Sequence, residues 1–389
     1  MRVTHVITRL IVGGAQENTI TSVLGLRAKA DVEVNLLSGP TTGPEGSLEP
    51  HVTNCPGLLT IIPELVRPVS PLRDWQALRK LTACFREQRP DIVHTHSGKA
   101  GVLGRLAAHT AGVPVIVHTL HGPSFGPFQG TLANFIFRAA ERRAGRVTTH
   151  FISVAHAMTE QYLAAGIGKP EQYTRIFSGF DLNPFLNAKN EPELRAKLGF
   201  RPDDFVIGKV ARLFENKGHE DLFQIAPALA QKFPQVKFLL VGGGILRARF
   251  EERVRRLGLE RHFRFTGLVP PGDVAALVGV MDALVHLSRR EGLARALPQA
   301  LAAGKPIIAY DCDGAREVCL EGKTGFLLPA GDSAGLGQRI EQLISDRRLC
   351  AELGAQGREW VRERFSAQRM VDEIHALYVT LLSRQSRMP

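Results

Sequence analysis

Glu291 and Gln299 stand eight residues apart in the stretch REGLARALPQA, on either side of a helix expected to begin near Ala294. Pro298 falls in the first turn or so of that helix, where its missing N–H costs little. Backbone N–H groups near Leu293–Ala296 are then unclaimed by the helix itself. A carboxylate and an amide at these two places suit the hydroxyls of a ligand, since a carboxylate opposes a bound phosphate. Upstream, Arg212 and Lys217 lie on one loop. A guanidinium fork and an ammonium point charge together bracket a diphosphate, although either residue alone reads as ordinary surface charge. Val241-Gly242-Gly243-Gly244 ends the next apolar run, a backbone-permissive turn at the same rim. Together these loops favour a phosphate site, and a diphosphate ligand rich in hydroxyls is a nucleotide sugar.

Other residues leave their reading open. Ile11-Val12-Gly13-Gly14-Ala15-Gln16 follows the first strand and opens a helix, either as a plain tight turn or as a phosphate or substrate loop. It lacks the G-x-G-x-x-G spacing of a dinucleotide fingerprint. His94 and His96 share a strand face by alternation. A metal pair would need a third ligand, which the spacing does not show, so a place at a strand end near an acceptor is the alternative. His121, just past a strand, reads by itself as a core histidine. Asp311-Cys312-Asp313 imitates a metal-binding D-x-D, but it ends a strand and leads into Gly314-Ala315-Arg316-Glu317-Val318. No metal is expected.

The elements that must position these residues alternate almost from end to end. Strands are expected at Val3–Thr8, Val32–Leu37, Ile92–Thr95, Val115–His118 and Phe151–Val154, with helices at Gln16–Lys29, Leu72–Gln88, Lys99–Thr110 and Thr131–Arg143. The stretch GFDLNPFLNAKNEP, Gly179–Pro192, interrupts this rhythm and marks a hinge. Strands then resume at Phe205–Val210, Lys237–Val241, Arg264–Thr266, Ala283–Leu287, Ile307–Tyr310 and Phe326–Leu328. Helices near Arg347–Arg364 and Ala367–Leu382 close the chain. The expectation is an α/β protein of two doubly wound, Rossmann-like domains, with ligands in a cleft at the carboxyl ends of the strands. Its parts are 1–183, 184–365 and a helix within 366–389 that returns to the first domain.

The 389 residues are 44% hydrophobic and 22% charged, as in a globular protein, with no apolar segment of membrane-spanning length. MRVTHVITRL reads as a first strand, not a signal peptide. Five scattered cysteines without paired metal spacing suit a reducing cytoplasm. The net charge of +11 favours acidic partners, namely nucleotides, nucleic acid or an anionic membrane. No interleaved aromatic platform supports nucleic acid. In Thr131–Arg146, Leu132, Phe135, Ile136 and Ala139 share a face while Arg138, Arg142, Arg143 and Arg146 add cations. That pattern suits a helix lying on an anionic membrane or a core-facing helix with one solvated side.

The segment from Arg212 to Val318 resembles the donor-binding half of retaining glycosyltransferases of family 4, which have the GT-B fold. The resemblance rests on Arg212 and Lys217, the turn Gly242–Gly244, the run Phe265-Thr266-Gly267-Leu268-Val269-Pro270, and Glu291-Gly292 leading to Ala303-Gly304-Lys305-Pro306. Gly13-Gly14 and His121-Gly122 match in the first half, so it covers nearly the whole chain. It implies His121, Glu291, Arg212 and Lys217 as catalytic residues. Gly13, Gly14, Gly242, Gly243, Val269, Gly292, Leu293, Ala294 and Gln299 would bind the donor. In that family Glu291 begins an E-x7-E pair whose second acid holds the ribose, and Gln299 departs from it. The implied activity is retaining hexosyl transfer, metal-independent and with no cofactor. The donor is a nucleotide-diphosphate sugar, UDP favoured over GDP. The acceptor is a glycan or lipid-linked glycan in cell-surface polysaccharide or lipopolysaccharide synthesis. The implied location is cytoplasmic, at the inner face of the plasma membrane. Two other classes remain open at this level: a nucleotide-sugar epimerase of the same fold, and a basic nucleic-acid- or membrane-binding protein.

Overall fold

Val236-Lys237-Phe238-Leu239-Leu240-Val241 and Ile307-Ile308-Ala309-Tyr310 are short apolar runs of the kind that form strands covered on both faces. In the computed structural model, which describes residues 1–43 and 46–385, both are interior strands of a parallel sheet. A first sheet holds β1 (Arg2–Ile7), β2 (Glu33–Ser38), β3 (Leu59–Ile61), β4 (Ile92–His96), β5 (Val115–Leu120), β6 (His150–Ser153) and β7 (Tyr173–Arg175). A second holds β8 (Phe205–Val210), β9 (Val236–Val241), β10 (Phe263–Gly267), β11 (Ala283–His286), β12 (Ile307–Tyr310) and β13 (Gly325–Leu328). Strand order is β3-β2-β1-β4-β5-β6-β7 in the first and β10-β9-β8-β11-β12-β13 in the second. Each sheet reverses direction beside its first strand, at β1/β4 and at β8/β11. The carboxyl ends of those strands are where doubly wound sheets take ligands.

The chain divides into two units, Met1–Phe180 with Ser366–Pro389, and Asp181–Phe365. Phe180 and Ser366 pair in a parallel bridge, and Ala367 N–H donates to Phe180 O at 3.0 Å, so the first unit is left and re-entered at one place. The returning helix, Ala367–Gln385, buries Met370, Val371, Ile374, Tyr378 and Leu381. That helical stripe packs in the same apolar cluster as Val3, Ile20, Val23 and Ile92. Gly25 lets it close on the helix Gly14–Arg27, because a Cβ there would stand 2.4 Å from Val371 Cγ2.

The structure departs from the expected elements at two places and decides between two open readings at a third. β3 and β7 were not foreseen, being three-residue strands at the sheet edge, too short to carry a periodic signal. The helix expected near Ala294 begins at Ala296 and ends at Ala302. Pro298 is therefore its third residue, still among the positions whose N–H has no intrahelical partner. The apolar face of the helix Thr131–Gly145 does not enter the core. Leu132, Phe135 and Ile136 are 73%, 69% and 52% exposed, and the helix buries Glu141, Ala144 and Gly145 instead.

Candidate active site

The loops after β8 and β11 are clasped together. Asn216 and Gly218 both adopt left-handed backbone, with φ of 64° and 68°. At Gly218 a Cβ would stand 2.1 Å from Leu287 O, so only glycine admits the approach. Arg289 N–H donates to Asn216 O at 2.9 Å, tying the same two loops. The clasp delivers Lys217 to Glu291, and Lys217 Nζ donates to Glu291 Oε1. Ser288 Oγ donates to the same oxygen at 2.9 Å. Arg212, on the β8 loop, is exposed and its guanidinium lies over the Phe214 ring, 4.9 Å from the centroid.

Burial would raise the Glu291 carboxyl, but the Lys217 ammonium, with the Ser288 hydroxyl, outweighs it and holds the group below the ordinary carboxylate range. Glu291 N–H donates to Asp313 Oδ2 at 2.7 Å, so Asp313 anchors the turn that carries the carboxylate. Asp311 instead holds Arg316, accepting from Nε at 2.9 Å. The two carboxylates of the D-x-D imitation thus have separate structural partners. Behind the pair lie two groups that sequence reasoning passed over. Lys209, on β8, is 1% exposed, and its Nζ has no hydrogen-bond partner among the described residues. Burial and the nearby Lys217 push its ammonium down to about 7. His286, at the end of β11, is kept neutral by burial, its pKa lowered to about 3. A lysine inside the apolar run Phe205–Val210 was the available signal for the first; nothing in the spacing marked the second or Ser288.

The glycines after β9 have a local use. A Cβ on Gly242 would stand 2.2 Å from Ala211 O, and one on Gly244 would stand 2.3 Å from Leu213 O. Leu213 N–H donates to Gly243 O at 2.9 Å. The turn is therefore glycine-rich so that it can pack backbone to backbone against the Arg212 loop. Val269 follows β10, beside that turn, since Gly242 N–H donates to Gly267 O at 3.1 Å. Gly292 and Leu293 are buried and Ala294 partly so, in the turn between Glu291 and the helix, and Gln299 is half-buried within that helix. Gly292 O accepts from Gly314 N–H at 3.0 Å.

In the first unit, Gly13 precedes the helix Gly14–Arg27 and accepts from Glu17 N–H at 2.9 Å. Its φ of 173° is extended backbone, so no special conformation demands glycine there. His121 follows β5, and its Nε2 lies 3.0 Å from His96 Nδ1. The third imidazole that spacing could not reveal is His5, on β1. Ring nitrogens of His5, His94 and His96 lie within 4.8 Å of one another. His5 meets His94 across the β1–β4 register, a pairing that only the sheet order creates.

Two doubly wound parallel sheets, with the terminal helix packed back on the first, make the GT-B architecture. HepE of Anabaena, solved in complex with UDP-glucose, shares it: TM-score 0.82 and 25% identity, over 98% of this chain and 100% of that one. The chain belongs to the glycosyltransferases. The 4-like glycosyl transferase domain family matches residues 14–177 and the glycosyl transferases group 1 family matches residues 190–360. EpsD of Bacillus subtilis (strain 168), which its name places among the glycosyltransferases, is 32% identical over 320 residues, 79% of this chain and 81% of its own. The Escherichia coli UDP-Gal:alpha-D-GlcNAc-diphosphoundecaprenol alpha-1,3-galactosyltransferase is 27% identical over 325 residues, 82% of this chain and 83% of its own.

Proposed function

We propose that this glycosyltransferase moves a hexosyl group from a UDP-sugar to a lipid-linked glycan acceptor, with retention of anomeric configuration. The observation that carries the reading is the Lys217–Glu291–Ser288 cluster at the carboxyl ends of β8 and β11. Arg212 and Lys217 bind the diphosphate and stabilise the charge that builds on it as the glycosidic bond breaks. Glu291, ionised because Lys217 lies against it, accepts from hydroxyls of the transferred sugar. Gln299 holds the ribose, and the turns Gly242–Gly243, Val269 and Gly292–Ala294 line the nucleotide. Only Glu291 is assigned to the transferred sugar in this reading, so a double-displacement route through paired acids is not invoked. The departing phosphate oxygen takes the proton of the acceptor hydroxyl instead.

The Asp181–Phe365 unit takes the donor and the other unit the acceptor, where Gly13, Gly14 and His121 serve, His121 meeting a sugar hydroxyl. UDP is preferred over GDP in this reading, supported by the UDP-glucose bound to HepE and the UDP-Gal in the name of the Escherichia coli relative, against other similar proteins named as GDP-mannose-dependent. No metal takes part. Among the described residues no helix is long and apolar enough to cross a membrane. The exposed Leu132, Phe135 and Ile136 rest on the anionic inner face of the plasma membrane. Arg142, Arg146 and Lys169, which line a 580 Å³ hollow at the end of the same helix, meet lipid phosphates. The product belongs to cell-surface polysaccharide or lipopolysaccharide synthesis.

The test is a panel of UDP- and GDP-hexoses offered with an undecaprenyl-diphosphate-linked sugar, the product's anomeric configuration being read by NMR. Transfer from a UDP-hexose with the donor's configuration supports the reading. Inverted product overturns retention, transfer from GDP-sugars alone overturns the donor assignment, and an epimerised donor without acceptor overturns transfer itself.

A further inference from the structure

The buried histidines of the first unit form a continuous hydrogen-bonded chain. Tyr378 Oη, on the returning helix, lies 2.5 Å from His94 Nδ1 and 3.5 Å from His5 Nε2. His5 Nδ1 lies 2.9 Å from His96 Nε2, and His96 Nδ1 lies 3.0 Å from His121 Nε2. At the other end, His94 Nε2 lies 2.6 Å from Thr119 Oγ1. His5, His94, His96 and Tyr378 have no exposed surface, and burial keeps these rings uncharged.

A neutral imidazole has one N–H and one acceptor nitrogen, and a phenol has one hydrogen to give. Each link needs a single hydrogen, so the chain has two consistent arrangements. In one, Tyr378 donates to His94 Nδ1, whose Nε2–H donates to Thr119 Oγ1, and Tyr378 accepts from His5 Nε2–H; His96 Nε2–H then donates to His5 Nδ1, and His121 Nε2–H donates to His96 Nδ1. In the other, every link is reversed and His121 carries its hydrogen on Nδ1. The 2.5 Å contact to His94 and the 3.5 Å contact to His5 decide between them. A phenol is a stronger donor than the threonine hydroxyl that meets His94 Nε2 at 2.6 Å, so Tyr378 and not Thr119 gives its hydrogen to His94, in the shorter of its own two links.

We propose that Tyr378, His5 and His96 are positioning residues that hold His121 as its Nε2–H tautomer, turning the Nδ1 lone pair outward as a hydrogen-bond acceptor. This rests on the reading above only where His121 is said to meet a sugar hydroxyl. There, Nδ1 accepts from that hydroxyl and orients the sugar that carries it. The returning helix thus contributes to the site through three intervening side chains, without contact with substrate.

The experiment is ¹⁵N NMR of histidine-labelled protein, comparing wild type with Tyr378→Phe, His96→Leu and His96→Asn. Wild type should show a protonated Nε2 and a bare Nδ1 at His121. Tyr378→Phe and His96→Leu should draw these two widely separated resonances together as both tautomers populate. His96→Asn, whose side-chain oxygen can still accept from His121 Nε2–H, should restore the separation. The kcat/KM of transfer should follow, falling about three- to tenfold in the first two variants, the loss of one neutral hydrogen bond. His121 protonated on Nδ1 in wild type, or unmoved in both Tyr378→Phe and His96→Leu, overturns the relay. So does a stoichiometric metal ion that is lost with His94→Gln. If Tyr378→Phe does not fold, the His96 pair decides alone. If the resonances behave as expected but His121→Ala leaves transfer kinetics unchanged, the relay stands and the sugar contact of His121 fails.

Discussion

Lys217 and Glu291 neutralise each other across a contact that is 17% and 27% exposed at its two side chains, so substitution of either acts on both. Lys217→Ala should lower transfer by tens- to thousands-fold, the 2–5 kcal/mol cost, roughly, of removing one partner from a desolvated charge pair. It also leaves burial as the dominant influence on Glu291, whose carboxyl then rises. The acid limb of the kcat/KM profile should therefore move to higher pH. Glu291→Gln should lower kcat with little change in donor KM, because the charge it supplies matters most while the glycosidic bond breaks. Gln299→Glu should remain active with donor KM within about tenfold of wild type, a window of 1.4 kcal/mol. Steady-state kinetics on the three variants check these outcomes. A harmless Glu291→Gln beside a dead Gln299→Glu would reverse the two roles.

The helices that carry no site residue still set where the site strands lie. Gly101 and Gly104 bring the helix Gly98–Ala111 down on the first sheet, since a Cβ would stand 2.5 Å from His118 Cε1 and 2.8 Å from Thr95 Cγ2. Arg105 of that helix donates from Nη2 to Glu141 Oε2 at 2.6 Å, with both side chains buried. Arg105 Nε also donates to Gly101 O at 2.7 Å. Glu141→Ala should destabilise the protein by about 3–5 kcal/mol, because it strands a buried guanidinium. Replacing both, as Arg105→Met with Glu141→Leu, should recover most of that loss. Urea unfolding of the single and double variants measures the difference.

At the scale of the whole molecule, acid should act through histidine. An unfolded histidine takes up its proton near 6.5, whereas burial lowers His5 and His121 to about 3 and His150 to about 4. Between those values the unfolded chain binds more protons, so stability falls as pH falls from 6.5. Each such histidine contributes about 1.4 kcal/mol per pH unit. Glu291, held below its usual range, adds loss of the same sign at lower pH. Thermal unfolding from neutral pH downward should show Tm dropping with a slope of several protons; a flat profile would mean the rings are charged in the folded protein. The exposed face of the helix Thr131–Gly145 makes a second prediction. The protein should float with anionic vesicles at low salt, less so at high salt. Leu132→Ser with Phe135→Ser should abolish flotation without changing Tm, since both side chains are exposed.

Two doubly wound units were legible from local pattern, because parallel strands buried on both faces are short apolar runs whatever their neighbours. Of the strands expected, β8 and β12 have the limits foreseen and the rest differ by two residues at most at either end, while β3 and β7 carried no local signal. Loop residues at strand ends were legible too, since Arg212, Lys217 and Glu291 each follow a recognisable run. Other features depended on strand order, which no local pattern encodes. Lys217 and Glu291 are 74 residues apart and meet because β8 lies beside β11 and Gly218 admits Leu287 O. His5 joins His94 and His96 because β1 lies beside β4, and Tyr378 reaches them because the last helix returns to the first unit. The orientation of the Thr131–Gly145 face was likewise undecided by its periodicity. An amphipathic stripe shows that one side is apolar, and only packing decides whether that side meets the core or the solvent.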